Sequence, residues 1–270
     1  MPERFDGKNA IVVGGGAHTD RALGIGEATA KLLSREGANV AVLDVEEAMA
    51  ERTINAFEDA QGDALALGCD VTDEATVATA MNEVEERFGG IDVLVNNVGI
   101  RIDAGPLPES DDDAMARIVD VNLQGIARSC KHAIPIMARD GGGSIVNLAS
   151  ANATVGRKGW SLYDATKAGV MALTRDVACD HAEDGIRVNA VSPGWTVTDY
   201  HLGDLTDEEA TERIAELTSR REDGPAILKR NAHPSELAEG IAFLASDAAS
   251  YVTGTTLEVD GGMNAVGRQL

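Results

Sequence analysis

Short apolar runs alternate with longer helix-like segments along most of the chain. The apolar runs lie at Ala10–Val13, Val40–Leu43, Ala64–Cys69, Val93–Val95, Ser144–Leu148, Arg187–Val191 and Thr256–Val259. The helix-like segments lie near 25–36, 46–60, 73–88, 112–138, 161–182 and 234–246. Continuous apolar runs are typical of strands buried on both faces. Their alternation with helices predicts an α/β fold with a parallel sheet covered by helices.

Residues 196–230 depart from this alternation. They are acidic and helix-prone but have no strong strand pattern, and we interpret them as a flap over a substrate site. No linker rich in proline or serine and no repeat divides the chain. The sequence therefore predicts one domain over residues 1–270.

Acidic residues outnumber basic residues by nearly two to one. The 270 residues include 45 Asp and Glu against 23 Lys and Arg, which gives a net charge of −22 at pH 7. Such a charge repels nucleic acid and anionic membranes, so neither is an expected partner. The acids are spread along the chain, which favours adaptation to a high-salt (halophilic) cytoplasm, where screening suppresses the repulsion. A merely acidic, soluble protein is the alternative.

The remaining composition favours a soluble cytoplasmic protein. No apolar run reaches the roughly 18 residues that span a bilayer, and the first residues lack the apolar core of a signal peptide. Cys69, Cys130 and Cys179 stand far apart, without the spacing of a metal site or a disulfide framework. We expect them to be small buried side chains, and we expect no catalytic metal.

A glycine-rich turn follows the first predicted strand. Gly14-Gly15-Gly16 ends that strand and Gly24-Ile25-Gly26 opens the next helix. Such glycines let the backbone approach a pyrophosphate at a helix N-terminus, although ordinary turns carry them too. Asp44 ends the second strand, where an acid binds the ribose 2′-hydroxyl of a dinucleotide, which favours NAD over NADP. His18 and Arg21 are the counter-argument, since cations suit a 2′-phosphate.

A second set of polar residues suggests acid–base chemistry. Tyr163 and Lys167 are four residues apart in a predicted helix and so share one face. A free phenol, with a pKa of about 10, is a poor base at neutral pH, but a neighbouring ammonium favours phenolate. The pair is a candidate general acid/base, although this spacing is common by chance. Ser150 follows the strand Ser144–Leu148 and either holds a substrate oxygen or only caps the backbone.

Taken together, these motifs resemble the short-chain dehydrogenase/reductase family. The resemblance rests on the order and spacing of Gly14, Gly24-Ile25-Gly26, Asn96-Asn97-Val98-Gly99, Asn122, Ser150, Tyr163-x-x-x-Lys167 and Pro193-Gly194, and runs from about Gly7 to Gly262. It implies a Rossmann-like, doubly wound parallel sheet with helices on both faces. It also implies a homotetramer that transfers hydride between a nicotinamide cofactor and the secondary alcohol or ketone group of a small-molecule substrate.

The resemblance implies a role for each matching residue. Tyr163 would be the catalytic acid/base, with Lys167 lowering its pKa and binding the nicotinamide ribose. Ser150 would stabilise the reacting oxygen, and Asn122 would hold the water of a proton relay. The implied cofactor contacts are Gly14, Gly24, Ile25, Gly26, Asp44, Asp70, Val71, Asn97, Tyr163, Lys167, Thr196 and Thr198.

Two departures from the family pattern bear on the cofactor. Val13 stands where the family usually has a threonine. Nine residues, Gly15–Leu23, separate Gly14 from Gly24, where the family usually has about three. We expect the extra residues to wrap the pyrophosphate differently or to reach a neighbouring subunit.

Candidate substrate contacts lie in the loop Ile100–Leu107, the stretch Ala151–Trp160 and the flap. They are Arg101, Asn152, Trp160, Trp195, Tyr200 and His201. Arg101 suits a substrate carboxylate or, equally, a salt bridge with the acidic surface. The polar and aromatic mixture favours a sugar, sugar acid or polyol. Two alternatives are a 3-oxoacyl-thioester (acyl carrier protein) reductase, which usually prefers NADPH, and a nucleotide sensor that kept the fold without catalysis.

Overall fold

The seven predicted strands form one parallel sheet. The computed structural model describes residues 4–19, 21–102 and 105–265. The strands follow the order β3-β2-β1-β4-β5-β6-β7. They are β1 (Asn9–Val13), β2 (Asn39–Asp44), β3 (Ala64–Gly68), β4 (Val93–Asn96), β5 (Gly143–Leu148), β6 (Ile186–Pro193) and β7 (Thr256–Val259). Their ends lie within two residues of the predicted ends.

Helices cover both faces of this sheet. They are α1 (Ile25–Arg35), α2 (Glu47–Asn55), α3 (Glu74–Phe88), α4 (Asp112–Val119), α5 (Gly125–Arg139), α6 (Ser161–Asp180), α7 (Asp207–Thr218) and α8 (Pro234–Ala245). Successive side chains of a strand point to opposite faces. Ile11 of β1 accordingly packs with residues of α3, α5 and α6, whereas Val12 packs with residues of α1 and α8. The predicted Rossmann-like, doubly wound fold is confirmed.

The strand order places a crevice beside β1. The chain leaves β1 towards β2 and β3 on one side and returns to pair β4 with β1 on the other, with Val13 opposite Asn96. In doubly wound sheets, ligands bind at the carboxyl ends of the strands where the order reverses. Gly14 and Asn97, the residues directly after β1 and β4, therefore lie at the expected ligand crevice.

The helix predicted over 112–138 is present and contains one irregularity. A π-helical turn at Asp120–Gln124 lies between α4 and α5. Within this turn the side chain of Asn122 accepts from the Ile100 N–H at 2.7 Å and donates to the Ile100 carbonyl at 2.9 Å. One extra residue in a turn does not disturb apolar periodicity enough to be seen in the sequence. Such turns occur frequently at functional sites.

The helix-prone residues of the predicted flap form one helix and one short turn. A short 3₁₀ turn spans Asp199–His201, and α7 begins after Thr206, whose hydroxyl and backbone N–H exchange hydrogen bonds with Glu209. Thr196 pairs with Ala232 in an isolated parallel bridge. The first residue of the flap therefore pairs with a residue that lies just past the end of the flap.

One of the three cysteines is not buried as expected. Cys69 and Cys130 are buried as expected, but Cys179 is exposed. The burial of Val170, Thr174 and Ala178 at every fourth position explains this error, because Cys179 lies off that face of α6.

None of the described helices is long and apolar enough to cross a membrane.

Candidate active site

A cleft runs along the carboxyl ends of the central strands. It consists of two cavities of about 1250 and 720 Å³. Asp44, Asp70 and Val71 line the larger cavity, and Gly14, His18, Asn97, Gly99 and Ile100 line both. The two cavities therefore form one continuous site. We call the larger cavity the cofactor side and the smaller cavity the substrate side.

The glycines after β1 permit a close approach of three backbone segments. Gly14 has φ +73°, and a Cβ there would lie 2.9 Å from the backbone of Val98. A Cβ on Gly26 would collide with the Gly14 carbonyl oxygen, which accepts from Asn97 Nδ2 at 2.6 Å. A side chain at either glycine would thus separate β1, β4 and α1. Gly24, Ile25 and Gly26 line the substrate side where the N-terminus of α1 opens into it.

The first half of the extended turn Gly15–Leu23 is attached to α2. Arg52 Nη1 donates to the carbonyls of Ala17 and His18 at 3.0 and 2.7 Å. The Thr53 hydroxyl donates to the Gly15 carbonyl at 2.9 Å. Nothing in the sequence pattern of α2 indicated these two anchors.

The second half of the turn is attached to the flap. Arg21 donates to Asp199 at 3.1 Å and to the carbonyls of Gly203 and Leu205 at 3.1 and 2.8 Å. The Thr19 hydroxyl donates to the same Asp199 oxygen at 2.8 Å. The described part of the turn thus bridges α2 and the flap of its own chain, a contact that the sequence did not predict. Arg21 is directed to the flap rather than to a phosphate beside Asp44.

Asp44 lines the cofactor side. Its Oδ2 accepts from the Gly16 N–H at 2.9 Å, and its Oδ1 accepts from the Val45 N–H at 2.9 Å. A Cβ on Gly16 would lie 2.7 Å from that Oδ2, so glycine is needed there, a role that sequence analysis missed. Asp70 accepts from the Thr72 N–H and hydroxyl at 2.9 and 2.8 Å.

Ser150, Tyr163 and Lys167 all line the substrate side, as their order in the sequence predicted. Burial raises the pKa of Tyr163, and the charge of Arg101 and a hydrogen bond with Ser150 oppose this rise. Lys167 is buried and its Nζ donates to the Leu148 carbonyl at 2.7 Å. Burial, helped by the charge of Arg101, lowers the pKa of Lys167 to about 8. Lys167 follows Tyr163 by one turn of α6 and lines the same cavity, an arrangement suited to proton transfer.

Asn122 and Lys167 both lie close to Gly99. A Cβ on Gly99 would lie 3.2 Å from Lys167 Nζ and 3.6 Å from Asn122 Oδ1. Asn122 is fully buried and also contacts the Thr166 hydroxyl at 3.4 Å. The π-helical turn, α6 and the segment after β4 therefore meet at Gly99.

Thr196 and Thr198 line the substrate side from the start of the flap. The Thr196 hydroxyl donates to the Gly194 carbonyl at 3.2 Å, and the Thr198 N–H donates to His201 Nδ1 at 3.2 Å. His201 is partly buried, and burial lowers its pKa. A neutral imidazole therefore faces the cavity near neutral pH.

The candidate substrate contacts converge on this cavity. Arg101, Asn152, Trp160, Trp195 and His201 line it, whereas the side chain of Tyr200 lies outside the described part of the structure. The described residues include no group of three His, Cys, Asp or Glu side chains that could hold a metal ion.

Arg157 is a cavity residue that sequence analysis missed. Its guanidinium lies 4.4 Å from the centre of the Trp160 ring and binds Asp164 with two bonds of 3.1 and 2.6 Å. The Trp160 and Tyr163 rings meet edge to face, with centres 5.9 Å apart. Arg157 thus stabilises the residues that surround Tyr163. Only the folded turn before α6 brings Arg157, Trp160 and Asp164 together.

Comparisons with known proteins identify the family. The family model described as enoyl-(acyl carrier protein) reductase matches residues 16–264. The chain is 44% identical over 266 residues to cis-4-hydroxycyclohexanecarboxylate dehydrogenase of Sinomonas cyclohexanicum, covering 98% of this chain and 100% of that protein. It is 37% identical over 257 residues to a 3-oxoacyl-[acyl-carrier-protein] reductase of Staphylococcus aureus, covering 95% and 98%.

Solved structures agree with the sequence comparisons. The crystal structure of levodione reductase matches with a TM-score of 0.85 at 34% identity, covering 98% of this chain and 100% of that one. The chain belongs to the short-chain dehydrogenase/reductase family, whose members are oxidoreductases that use a nicotinamide cofactor.

Proposed function

We propose that the protein is an NAD-dependent dehydrogenase/reductase that acts on a secondary alcohol or the matching ketone. The single observation that carries this proposal is the cleft: Ser150, Tyr163 and Lys167 line one end of it, and Asp44 lines the other. A dinucleotide with its adenosine at Asp44 would place its nicotinamide at the tyrosine. The bound nicotinamide would supply the hydride acceptor or donor.

The proposed mechanism assigns the proton to Tyr163. In the oxidative direction the phenolate takes the proton of the substrate hydroxyl, and in the reductive direction the phenol returns it to the carbonyl oxygen. Ser150, which lines the same cavity as Tyr163, holds the reacting oxygen. The ammonium of Lys167 favours the phenolate. Asn122, near Lys167 at Gly99, would hold the water of a proton relay.

The preference for NAD rests on the surroundings of Asp44. Gly14, Gly16 and Gly26 line the cleft without side chains, which suits the approach of a pyrophosphate to the backbone of this turn. The Asp44 carboxylate suits a ribose hydroxyl and repels a 2′-phosphate. The nearby guanidinium groups of Arg21 and Arg52 are bound to the flap and to backbone carbonyls. These contacts support NAD as cofactor.

We propose a small, polar, hydroxylated substrate: a sugar, sugar acid or polyol. Asn152 and His201 supply polar groups, and Trp160 and Trp195 supply flat apolar surfaces. The relative from Sinomonas cyclohexanicum is named for a hydroxylated six-membered ring that carries a carboxylate. Such a molecule resembles a sugar acid in size and polarity, so it belongs in the same test panel.

Reduction of a 3-oxoacyl thioester is a second candidate function, and one comparison favours it. The Staphylococcus aureus relative is named as a 3-oxoacyl-[acyl-carrier-protein] reductase. Asp44 disfavours the NADPH that this role usually requires. A nucleotide sensor without catalysis is disfavoured because Asn122, Ser150, Tyr163 and Lys167 are all present. From the family resemblance and the net charge of −22 we further propose a homotetramer in a saline cytoplasm.

The experiment is an assay of NADH formation at high and low KCl over sugars, sugar acids, polyols, simple secondary alcohols and 4-hydroxycyclohexanecarboxylate. NADP replaces NAD in parallel reactions, and acetoacetyl thioesters with NADPH test the second candidate. Turnover of one hydroxylated class with NAD is the expected result. Turnover of the thioester alone, or binding of NADH without turnover of any compound, would overturn the proposal.

A further inference from the structure

Arg157 approaches the proposed acid/base from the turn that precedes α6. Gly159 lies in this turn with φ +82°, a conformation that glycine adopts without strain. The turn places the Arg157 guanidinium 4.4 Å from the centre of the Trp160 ring and 5.9 Å from the centre of the Tyr163 ring. Both distances lie within the range of a cation–π interaction, and a planar guanidinium stacks well on aromatic rings. Arg157 therefore interacts with both rings.

Asp164 fixes the guanidinium in this position. Its two carboxylate oxygens accept from Arg157 Nε and Nη2 at 3.1 and 2.6 Å. The two side chains are only 20% and 13% exposed, so water and salt screen this ion pair less than an exposed one. Asp164 directly follows Tyr163, and its N–H donates to the Trp160 carbonyl at 3.0 Å in the first turn of α6. The ion pair is therefore attached to the backbone that carries both rings.

The two rings support each other at the substrate side. The Trp160 and Tyr163 rings meet at 83°, with centres 5.9 Å apart, which is the edge-to-face geometry that aromatic pairs favour. Arg157, Trp160 and Tyr163 all line this cavity. A rotation of the indole would therefore remove the edge contact of the phenol ring and change the shape of the cavity.

We propose that Arg157 is a positioning residue of the reaction: held by Asp164, it keeps the Trp160 indole against the Tyr163 ring and so fixes the direction of the phenol. This inference rests on the proposed function, because it requires Tyr163 to be the acid/base. Arg157 acts through the two rings and not on the substrate. Since a displacement of about 1 Å at a reacting group lowers a rate by as much as roughly 100-fold, loss of the ion pair should lower turnover.

The first test is the kinetics of Arg157→Gln, Asp164→Asn and the double variant, in the whole enzyme with NAD and 4-hydroxycyclohexanecarboxylate. We expect each single variant to lower kcat by about 10- to 100-fold and to keep the KM for NAD within about twofold. The double variant should lose no more than the single variants, because residues that act as one unit are not additive. Arg157→Lys should recover part of the loss, since an ammonium pairs with Asp164 but does not stack on the indole. Lys158→Gln, at the exposed neighbouring residue, is the control and should keep the full kcat.

The pH profile of kcat/KM separates positioning from an effect of charge. Burial raises the pKa of Tyr163, and the charge of Arg157 is among the effects that oppose this rise. The apparent pKa should therefore rise in Arg157→Gln and fall in Asp164→Asn, which leaves the guanidinium unpaired, although kcat falls in both. The other titratable and charged residues that line the substrate side are the same in every variant: His18, Glu27, Arg101, Lys167, Asp199 and His201. A kcat that stays constant or rises in Asp164→Asn would overturn the inference, because Arg157 would then not act by position.

A second measurement requires no turnover. The chain has two tryptophans, so Trp195→Phe leaves Trp160 as the one indole, whose motion is measured by time-resolved fluorescence anisotropy. In this background Arg157→Gln should increase the amplitude of the fast side-chain motion on the nanosecond scale, whereas Lys158→Gln should not. An unchanged anisotropy decay in Arg157→Gln overturns the inference. Turnover that survives in Tyr163→Phe would contradict the proposed function whatever the decay shows, so the two failures are distinguishable.

Discussion

Arg21 Nη2 and Asp199 Oδ1 lie 3.1 Å apart although 178 residues separate them in the sequence. The Thr19 hydroxyl joins the same carboxylate oxygen. Arg21 belongs to the extended turn after β1, and Asp199 belongs to the flap that lines the substrate side. The insertion between Gly14 and Gly24 therefore links the glycine-rich turn to the flap.

The first prediction concerns this link. Arg21→Gln removes the ion pair and the bonds to the carbonyls of Gly203 and Leu205, so local opening of residues 199–205 should become easier. We expect roughly tenfold faster amide hydrogen exchange there, corresponding to about 1–2 kcal/mol for a partly buried ion pair with carbonyl bonds. Arg213→Gln, which breaks the exposed pair with Glu216 in α7, is the matched control. Unchanged exchange at 199–205 would show that the link does not hold the flap.

The second prediction concerns Asp44. Asp44→Asn keeps an oxygen that accepts from the Gly16 N–H but removes the negative charge. The ratio of kcat/KM for NAD over NADP should fall by roughly tenfold or more, or about 1.4 kcal/mol. Glu58→Gln removes the same charge from an exposed site beyond α2 and should leave the ratio unchanged. A constant ratio in Asp44→Asn would remove the basis for assigning NAD.

The third prediction concerns the stability cost of Lys167. Its pKa falls from 10.5 in the unfolded chain to about 8 in the folded one. Below pH 8 Lys167 is charged in the folded chain, and the burial of this charge lowers the free energy of unfolding. Between pH 8 and 10.5 the unfolded chain binds more protons than the folded chain, so this destabilisation disappears as the pH rises. Lys167→Met should therefore raise the free energy of unfolding at pH 7 by about 2 kcal/mol, and this gain should shrink towards pH 10.5.

Urea denaturation at pH 7 and at higher pH measures this difference. Lys158→Met, at an exposed lysine before α6, is the control and should change neither value. A Lys167→Met variant that is less stable than the unaltered protein at pH 7 would contradict the account. It would mean that the bond from Lys167 Nζ to the Leu148 carbonyl outweighs the burial of the charge.

The fourth prediction concerns salt. Exposed carboxylates such as Glu83, Glu86 and Glu212 contribute to a net charge of −22, and raising the KCl concentration from 0.1 to 1 M shortens the screening length from about 10 to 3 Å. The thermal midpoint should rise by roughly 10 °C over this range, as expected from a few kcal/mol in a chain of this size. Differential scanning calorimetry measures it. A midpoint that does not depend on KCl would indicate an ordinary acidic protein.

Much of the fold was predictable because the strands are buried on both faces. The runs at Ala10–Val13 and Val40–Leu43 are almost wholly apolar, so even their ends could be placed. Ser150, Tyr163 and Lys167 were expected at one crevice from their positions after a strand and on one helix face, and they do line one cavity. Their roles in the reaction stay predictions.

The parts that could not be predicted depend on contacts between distant segments. Apolar periodicity does not reveal the one-residue irregularity that turns Asn122 towards Ile100. The partner of Arg21 lies 178 residues away, and no local pattern identifies it. Arg157 gains its position from Trp160 and Asp164, which only the folded turn brings together.

The measurement that tests the central claim most directly compares the unaltered protein with Tyr163→Phe in two assays: NADH formation and NADH binding by fluorescence. Phenylalanine keeps the ring that packs against Trp160 and removes the acid/base group. The account predicts that turnover falls by about 10²- to 10⁴-fold while the Kd for NADH stays within about twofold, a difference of roughly 0.4 kcal/mol. Turnover that survives in Tyr163→Phe would contradict the account, because the proton would then move through another group.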